Sequence, residues 1–281
     1  MKVILEPTVT LVAKQVFIEH PVYKIPDDGN DAVKIGAFAA KVCYDSYGVE
    51  GRANEANQRQ ILEQRHGSVL EHITATMLFE GITRALSLES NRHRQNAISQ
   101  RSTRYTEESD SAIVLEPYYA RLWELYPLEY RQWAKGYPDA WVPVEGPRKP
   151  DKDQMDEQSL LIDFVEMCQS VVDLYAEQVE TLMALNPLNL SGHDLRKWAR
   201  GKARNILPHA LETRITYTGN LRAWRWFIES RSHKSAEPEI RRLADKVLAE
   251  LRLHFPLYFE DFVNVGDYDD IPMWVPEYHK V

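Results

Sequence analysis

The spacing of apolar residues switches repeatedly between two periods along this chain, and that switching restricts the fold more than any other feature. From Thr8 to Phe17 the residues are rich in β-branched types and partly alternate, as a half-buried strand does. From Asp31 to Asp45 the period becomes helical, in Val33, Ile35, Phe38, Ala39 and Val42, and a charged helix is expected from about Asn54 to Gln64, with Gly67 ending it. His72 to Gly81 returns to the strand pattern, and Ile82 to Arg92 reads as helix. Leu160 to Leu182 predicts a long amphipathic helix whose stripe holds Leu161, Phe164, Val165, Cys168, Val171 and Val172. Ser191 is placed to cap a helix running toward Arg204, Glu212 to Thr218 alternates like a strand, and a helical region follows. The sum is an α/β chain of the α+β type, a central mixed sheet with flanking helices.

No internal repeat is visible, and residues 1–281 are expected to form a single domain. The exception to its even texture is a stretch from Trp133 to Gln158, where Pro138, Pro143, Pro147 and Pro150 join the charge run KPDKDQMDE. Proline and charge deny it a packed face, so a mobile excursion is expected at about 130–158.

Lys and Arg number 34 against 42 Asp and Glu, a formal charge of −8, which is the wrong sign for a general phosphate-backbone surface. No nucleic-acid partner is expected. The first twenty residues place Glu6, Pro7 and Lys14 among apolar ones, so no signal-peptide core is read there, and charge interrupts every eighteen-residue stretch. With only Cys43 and Cys168, neither in a metal-site spacing, a reducing cytoplasm and no membrane association are the expectation. Both cysteines read as packing residues.

Against this acidic background the stretch RHRQNAISQRSTRY, from Arg92 to Tyr105, is locally basic. Guanidinium groups make planar bidentate contacts with phosphate oxygens, and serine hydroxyls complete them, so the composition suits a phosphorylated small ligand. A solvated basic loop or ion-pair network is the plain alternative.

Upstream, HGSVLEH from His66 to His72 offers backbone amides, a hydroxyl and imidazoles at a turn, where a planar cofactor could rest. Its His66, Glu71 and His72 lack the spacing of a zinc motif, and no metal is expected. A third cluster, LPHALETRITYTGNLRAWRWFIESR from Leu207 to Arg231, predicts a strand turned by Gly219 and Asn220 into a helix. Arg222, Trp226 and Arg231 fall on or near that helix, with Trp224 and Phe227 packing its other side. No dinucleotide fingerprint, phosphate loop or nucleophile elbow occurs.

In this order the three clusters resemble the flavin-dependent thymidylate synthases. The family pattern of RHR, seven residues and Ser is matched by Arg92, His93, Arg94 and Ser102, followed by Arg104 and Tyr105. HGSVLEH looks like the family's flavin-side histidine motif, and ETRITYTGNLRAWRWFIESR followed by EPEIRRLA resembles its C-terminal half, so the similarity spans about residues 30–260.

The resemblance implies reductive methylation of deoxyuridine monophosphate to thymidine monophosphate. Methylenetetrahydrofolate would donate the carbon and FAD, reduced by NADPH, the hydride. It also implies a homotetramer with shared sites and no cysteine nucleophile.

Carried over residue by residue, it puts His66 and Ser68 beside the flavin and Arg92, His93 and Arg94 at its phosphate and isoalloxazine region. Gln100 would lie where both ligands meet, and Asn220, Arg222 and Trp226 would face FAD. Glu89, Arg92 and the run Gln100, Arg101, Ser102, Thr103 and Arg104 would surround the nucleotide, with Arg204 reaching it from another subunit. Arg231 would be the catalytic residue, a fixed cation stabilising negative charge at the uracil edge so that C5 becomes nucleophilic.

Three positions depart from the usual pattern. Arg101 replaces an apolar residue, which bears on phosphate binding or substrate choice. Trp226 stands where a smaller polar residue or histidine is common. Ser235 stands where many relatives have a histidine, with His233 two positions early. The other readings are a single-stranded nucleic-acid binder stacking bases on Tyr105, Trp224 and Trp226, and a same-fold enzyme for another deoxyuridine nucleotide.

Overall fold

A computed structural model describes residues 2–126 and 152–281. The chain divides into two compact units, one of Met1–Glu6, Gly81–Ala85 and Arg101–Thr213, the other of Pro7–Glu80, Leu86–Gln100 and Arg214–Val281.

The second unit is built on a four-stranded sheet in the order Thr8–Lys14, Thr74–Thr83, Glu212–Asn220, Ala97–Gln100. Its first two strands pair antiparallel from Thr8 opposite Glu80 to Lys14 opposite Ala75, with an irregularity between Leu11 and Ala13. There Glu250 Oε1 accepts from the Leu11 N–H at 2.8 Å, so a helix side chain serves a backbone donor at the bulge. The last two strands pair antiparallel from Ala97 opposite Thr218 to Gln100 opposite Ile215. Alternation along Thr74–Thr83 turns Ala75, Met77 and Phe79 inward, all fully buried.

Phe79 stacks on Tyr217 at 5.5 Å, and Trp224 meets Tyr217 at 5.3 Å and Phe227 at 6.0 Å. Truncating one such ring costs about 3–5 kcal/mol, so this cluster anchors the Leu221–Arg231 helix to the sheet. The Pro238–His254 helix buries Ile240, Leu243, Ala244, Val247, Leu248 and Leu251 and packs on the Thr8–Lys14 strand. A hairpin of Phe262–Tyr268 and Ile271–Pro276 completes the unit. Its two-residue turn sets Asp269 and Asp270 at φ 51° and 55°, the left-handed pair a tight hairpin needs.

In the first unit, Val3–Ile4 pairs parallel with Ile113–Val114. The Pro117–Leu125 and Lys152–Leu185 helices close over a core of Ile113, Leu115, Ala120, Leu122, Leu161 and Cys168. Further along, the long helix packs Tyr175 and Val179 against Ala199 and Ala203 of the Gly192–Ala203 helix.

Strands and helices thus combine as the changing period requires, and differences arise where packing overrides pattern. The Asp31–Tyr44 helix buries Ala32, Val33, Gly36, Ala37 and Ala40, whereas Val42 and Cys43 are exposed. A Cβ on Gly36 would come 2.3 Å from Gln58 Oε1 and 2.8 Å from the Tyr258 hydroxyl, so the small residues face inward because the neighbours stand too close for larger ones. Cys43 is therefore not a packing residue; Cys168 is.

The charged helix ends at Glu63 rather than at Gly67, with Arg65 at φ 57° and a 3-10 turn over Gly67–His72. The next strand extends to Thr83, leaving a short helix Arg84–Ser90. Ser191 occupies the N-cap position without a side-chain capping bond. The long helix begins at Lys152, so residues 152–158 of the expected excursion are helical; its remainder, about 130–151, lies outside the described residues.

Candidate active site

The RHR sequence lies in a turn between the Arg84–Ser90 helix and the Ala97–Gln100 strand. Backbone bonds from His93 N to Ser90 O and Asn96 N to His93 O shape it. Arg92 and Arg94 point outward and are exposed, while His93 is 8% exposed and packs edge-on to Phe227 at 4.9 Å. Tyr217, fully buried on the neighbouring strand, ties the turn down. Its hydroxyl donates to Ser90 O at 3.1 Å and accepts from Asn96 Nδ2 at 3.1 Å. A Cβ on Gly219 would lie 2.1 Å from Asn96 Oδ1, so glycine there is what lets the turn sit so close to the strand.

The last turn of the Leu221–Arg231 helix delivers Arg231 to this place. Its Nε donates to His93 Nε2 at 2.8 Å, and its Nη1 and Nη2 reach Glu89 Oε2 at 3.4 Å and Glu89 O at 3.5 Å. Accepting this bond requires a lone pair on Nε2, so the imidazole is neutral with its proton on Nδ1. Burial first, and the Arg231 cation second, push the His93 pKa down to about 4. Burial likewise raises the Glu89 carboxyl above its ordinary value, with Arg231 opposing the shift and Glu237 adding to it. Arg231 thus touches two other residues assigned to the site, Glu89 and His93. Gln100 Nε2 donates to Ser87 Oγ at 3.0 Å at the end of its strand.

A cavity of about 500 Å³ opens at the start of the same helix, lined by Glu71, Gln95, Asn220, Arg222, Ala223, Trp226, Lys280 and Val281. The Asn220 side chain caps the helix, accepting from Ala223 N at 2.8 Å. Arg222 pairs with Glu71 at 2.5 Å, and Trp226, one turn on, is 50% exposed. Asn220, Arg222 and Trp226, the three predicted to face one ligand, therefore share one wall. His66 and Ser68 are exposed on the 3-10 turn that packs against this helix. Gly67 between them stands where a Cβ would come 2.9 Å from Arg222 Nε.

In the other unit, Arg101 is committed to protein partners. Its Nη1 reaches Glu212 Oε2 at 2.8 Å, and its Nη2 reaches Glu108 Oε2 at 2.9 Å and Ser111 Oγ at 3.1 Å. Both carboxylates are buried, and burial raises the Glu108 pKa against the opposing pull of Ser111, Arg101 and Arg84. Ser102 O accepts from Tyr105 N and Thr106 N, which makes the motif serine the start of a turn. Thr103 is buried and accepts from Arg204 Nη1 of the same chain at 3.4 Å; Arg104 is exposed. Departing residues also meet elsewhere: His233 Nδ1 and Ser235 Oγ are 2.7 Å apart.

The residues missed from sequence are those that hold others in place. Tyr217 was only one position of an alternating strand. Arg225, among the aromatics of RAWRWF, and Asp261, beside the apolar Phe262 and Val263, carried no motif. They form a bidentate pair at 2.6 and 2.7 Å, both buried. An arginine at helical spacing from Leu221 and Ile228 is the signal that places Arg225 inward.

Residues 25–257 match the family described as thymidylate synthase complementing protein. A flavin-dependent thymidylate synthase of Mycobacteroides abscessus is 33% identical over 257 residues, 90% of this chain and 89% of that protein. The enzyme of the same name from Mycobacterium tuberculosis is 31% identical over the same shares. Among solved structures, the UMP/dUMP methylase PolB of Streptomyces cacaoi, bound with 5-Br dUMP, superposes with a TM-score of 0.57 at 19% identity, over 92% of this chain and 96% of its own. ThyX of Helicobacter pylori, complexed with FAD and dUMP, gives 0.54 at 19%, over 90% and 98%. These two show a shared fold. The chain is an enzyme of the flavin-dependent thymidylate synthase family.

Proposed function

We propose that the protein methylates deoxyuridine monophosphate reductively to thymidine monophosphate, with methylenetetrahydrofolate as carbon donor and FAD, reduced by NADPH, as hydride source. The observation that carries this reading is the Arg231 guanidinium held between neutral His93 and Glu89. Its contacts to Glu89, at 3.4 and 3.5 Å, are longer than the 2.7–2.9 Å or so of a strong charge-assisted pair. The cation is oriented without being consumed, which suits it to charge developing on a uracil ring. A neutral His93 accepts from Nε and adds no competing positive charge.

The cavity beside Asn220 offers a guanidinium, an ammonium, two side-chain amides and an exposed indole face, a donor set that suits a flavin nucleotide. FAD, when bound, supplies hydride chemistry that side chains lack. In this reading Asn220, Arg222 and Trp226 hold it, His66 and Ser68 border it, and Arg92, His93, Arg94 and Gln100 complete the contacts. Ser102, Thr103, Arg104 and Arg204 bind the nucleotide with Glu89, Arg92 and Gln100. Arg101 contributes by bracing the loop that carries Ser102 and Thr103, since its own donors are already spent on Glu108 and Glu212.

The fully buried Trp224 weighs against a single-stranded nucleic-acid binder, because it has no face to offer a base. We further propose one catalytic domain per chain, a cytoplasmic homotetramer and no nucleic-acid partner. No helix among the described residues is long and apolar enough to cross a membrane. Purified protein is expected to be yellow, to bleach with NADPH, and to form thymidine monophosphate from deoxyuridine monophosphate and methylenetetrahydrofolate. A colourless preparation that neither binds added FAD nor forms product would overturn the reading.

A further inference from the structure

Residues beyond 257, outside the stretch that matches the family, also wall the cavity at Asn220 and Arg222, and they bring it a second cation. The Glu277–Val281 segment is fastened from below. Asp261 O accepts from Glu277 N at 3.0 Å, Asp261 Oδ2 accepts from Tyr278 N at 3.2 Å, and Arg225 Nη2 donates to Tyr278 O at 3.0 Å. His279 Nδ1 and Glu229 Oε1 lie 2.8 Å apart, and Lys280 N donates to Glu229 Oε2 at 3.5 Å. Val281 is buried so tightly on Gly67 that a Cβ there would come 2.4 Å from its backbone carbon. Between these anchors Lys280 is held at φ 58°, a left-handed conformation that a lysine keeps only where its surroundings impose it.

Charge balance in the cavity makes this lysine matter. Arg222 is neutralised locally by Glu71, which lines the same cavity at 2.5 Å from it. Among the described residues the Lys280 ammonium has no carboxylate partner. Of Arg222 and Lys280, the two cationic residues of the lining, it is the one without an ion pair among the described residues, and a lysine is a flexible point charge that suits phosphate oxygens.

We propose that Lys280 is a phosphate-binding residue of the flavin pocket, carried there by a segment that the buried Arg225–Asp261 pair holds in place. The proposal rests on the reading that this cavity takes FAD. The test is a fluorescence titration of flavin-stripped protein with FAD, and in parallel with riboflavin, which has the ring but no phosphate. Lys280→Glu is expected to weaken FAD binding by about tenfold or more, Lys280→Ala less, and Lys280→Arg to stay within about twofold of the parent. Riboflavin binding should be the same in all four proteins.

FAD affinity unchanged in Lys280→Glu, or an equal loss for riboflavin, overturns the assignment while leaving the flavin reading intact. A parent protein that takes up no FAD overturns both. Lys280 is exposed, so the variants are expected to fold, and an unchanged melting temperature checks this.

Discussion

Two arginines on the Leu221–Arg231 helix show how differently the same side chain can be held. Arg225 is 2% exposed with both terminal nitrogens taken: a bidentate pair with Asp261, donation to the carbonyls of Tyr258 and Tyr278, and the Phe262 ring 4.9 Å from its guanidinium carbon. Arg231 is 21% exposed, well bonded only at Nε, and its two terminal nitrogens make long contacts to Glu89. A buried cation whose terminal nitrogens are all taken holds its neighbours in place, because a new partner there must displace a good one. A loosely partnered cation at a buried histidine remains available.

That contrast is broken or sharpened by substitution. Arg225→Leu leaves Asp261 charged and buried, and is expected to cost about 3–5 kcal/mol of stability, read as a large fall in denaturant midpoint. Arg231→Ala should do the reverse. Turnover is expected to drop by about 10²–10³-fold, the scale for one preorganised donor, with bound flavin and melting temperature largely retained. Comparable instability in both variants would erase the distinction.

His93 gives the contrast a pH signature. It stays neutral in the folded protein down to about 4, whereas the unfolded chain takes up its proton near 6.5. Between those values the unfolded state binds more protons, so acidification through this window should remove stability, of order 3 kcal/mol in full, with no further loss from this group below it. Glu89, raised by burial, acts in the opposite sense, so the difference between parent and His93→Gln isolates the histidine. Urea unfolding near pH 7 and pH 4.5 should show a gap between the two proteins that narrows in acid. The smallest effect is expected at His66→Ala, which removes an exposed ring proposed to lie beside the flavin. FAD affinity should fall by about fivefold, with no change in turnover at saturating cofactor.

Much of the fold was legible because period reports burial. The Thr74–Thr83 strand, the Asp31–Tyr44 helix and the switch at Asn220 follow from local pattern, and the RHR motif marked the turn whose His93 meets Arg231. The inward face of the first helix was not legible. Its apolar residues indicated one stripe, while the closeness of Gln58 and Tyr258 selected the small ones. Arg101 shows the same limit: in sequence it reads as one more cation of a basic run, and only Glu108 and Glu212, brought to it from elsewhere in its unit, turn it into a brace.

By itself the sequence determined the class of fold, the family and which residue types the chemistry requires, since these depend on local spacing and side-chain identity. The tertiary structure decided which arginine is loosely held and which is locked in place, how His93 is protonated, and that Lys280 lines the cavity of Asn220. Those properties depend on distance and burial between residues far apart in the chain, and a linear pattern carries neither.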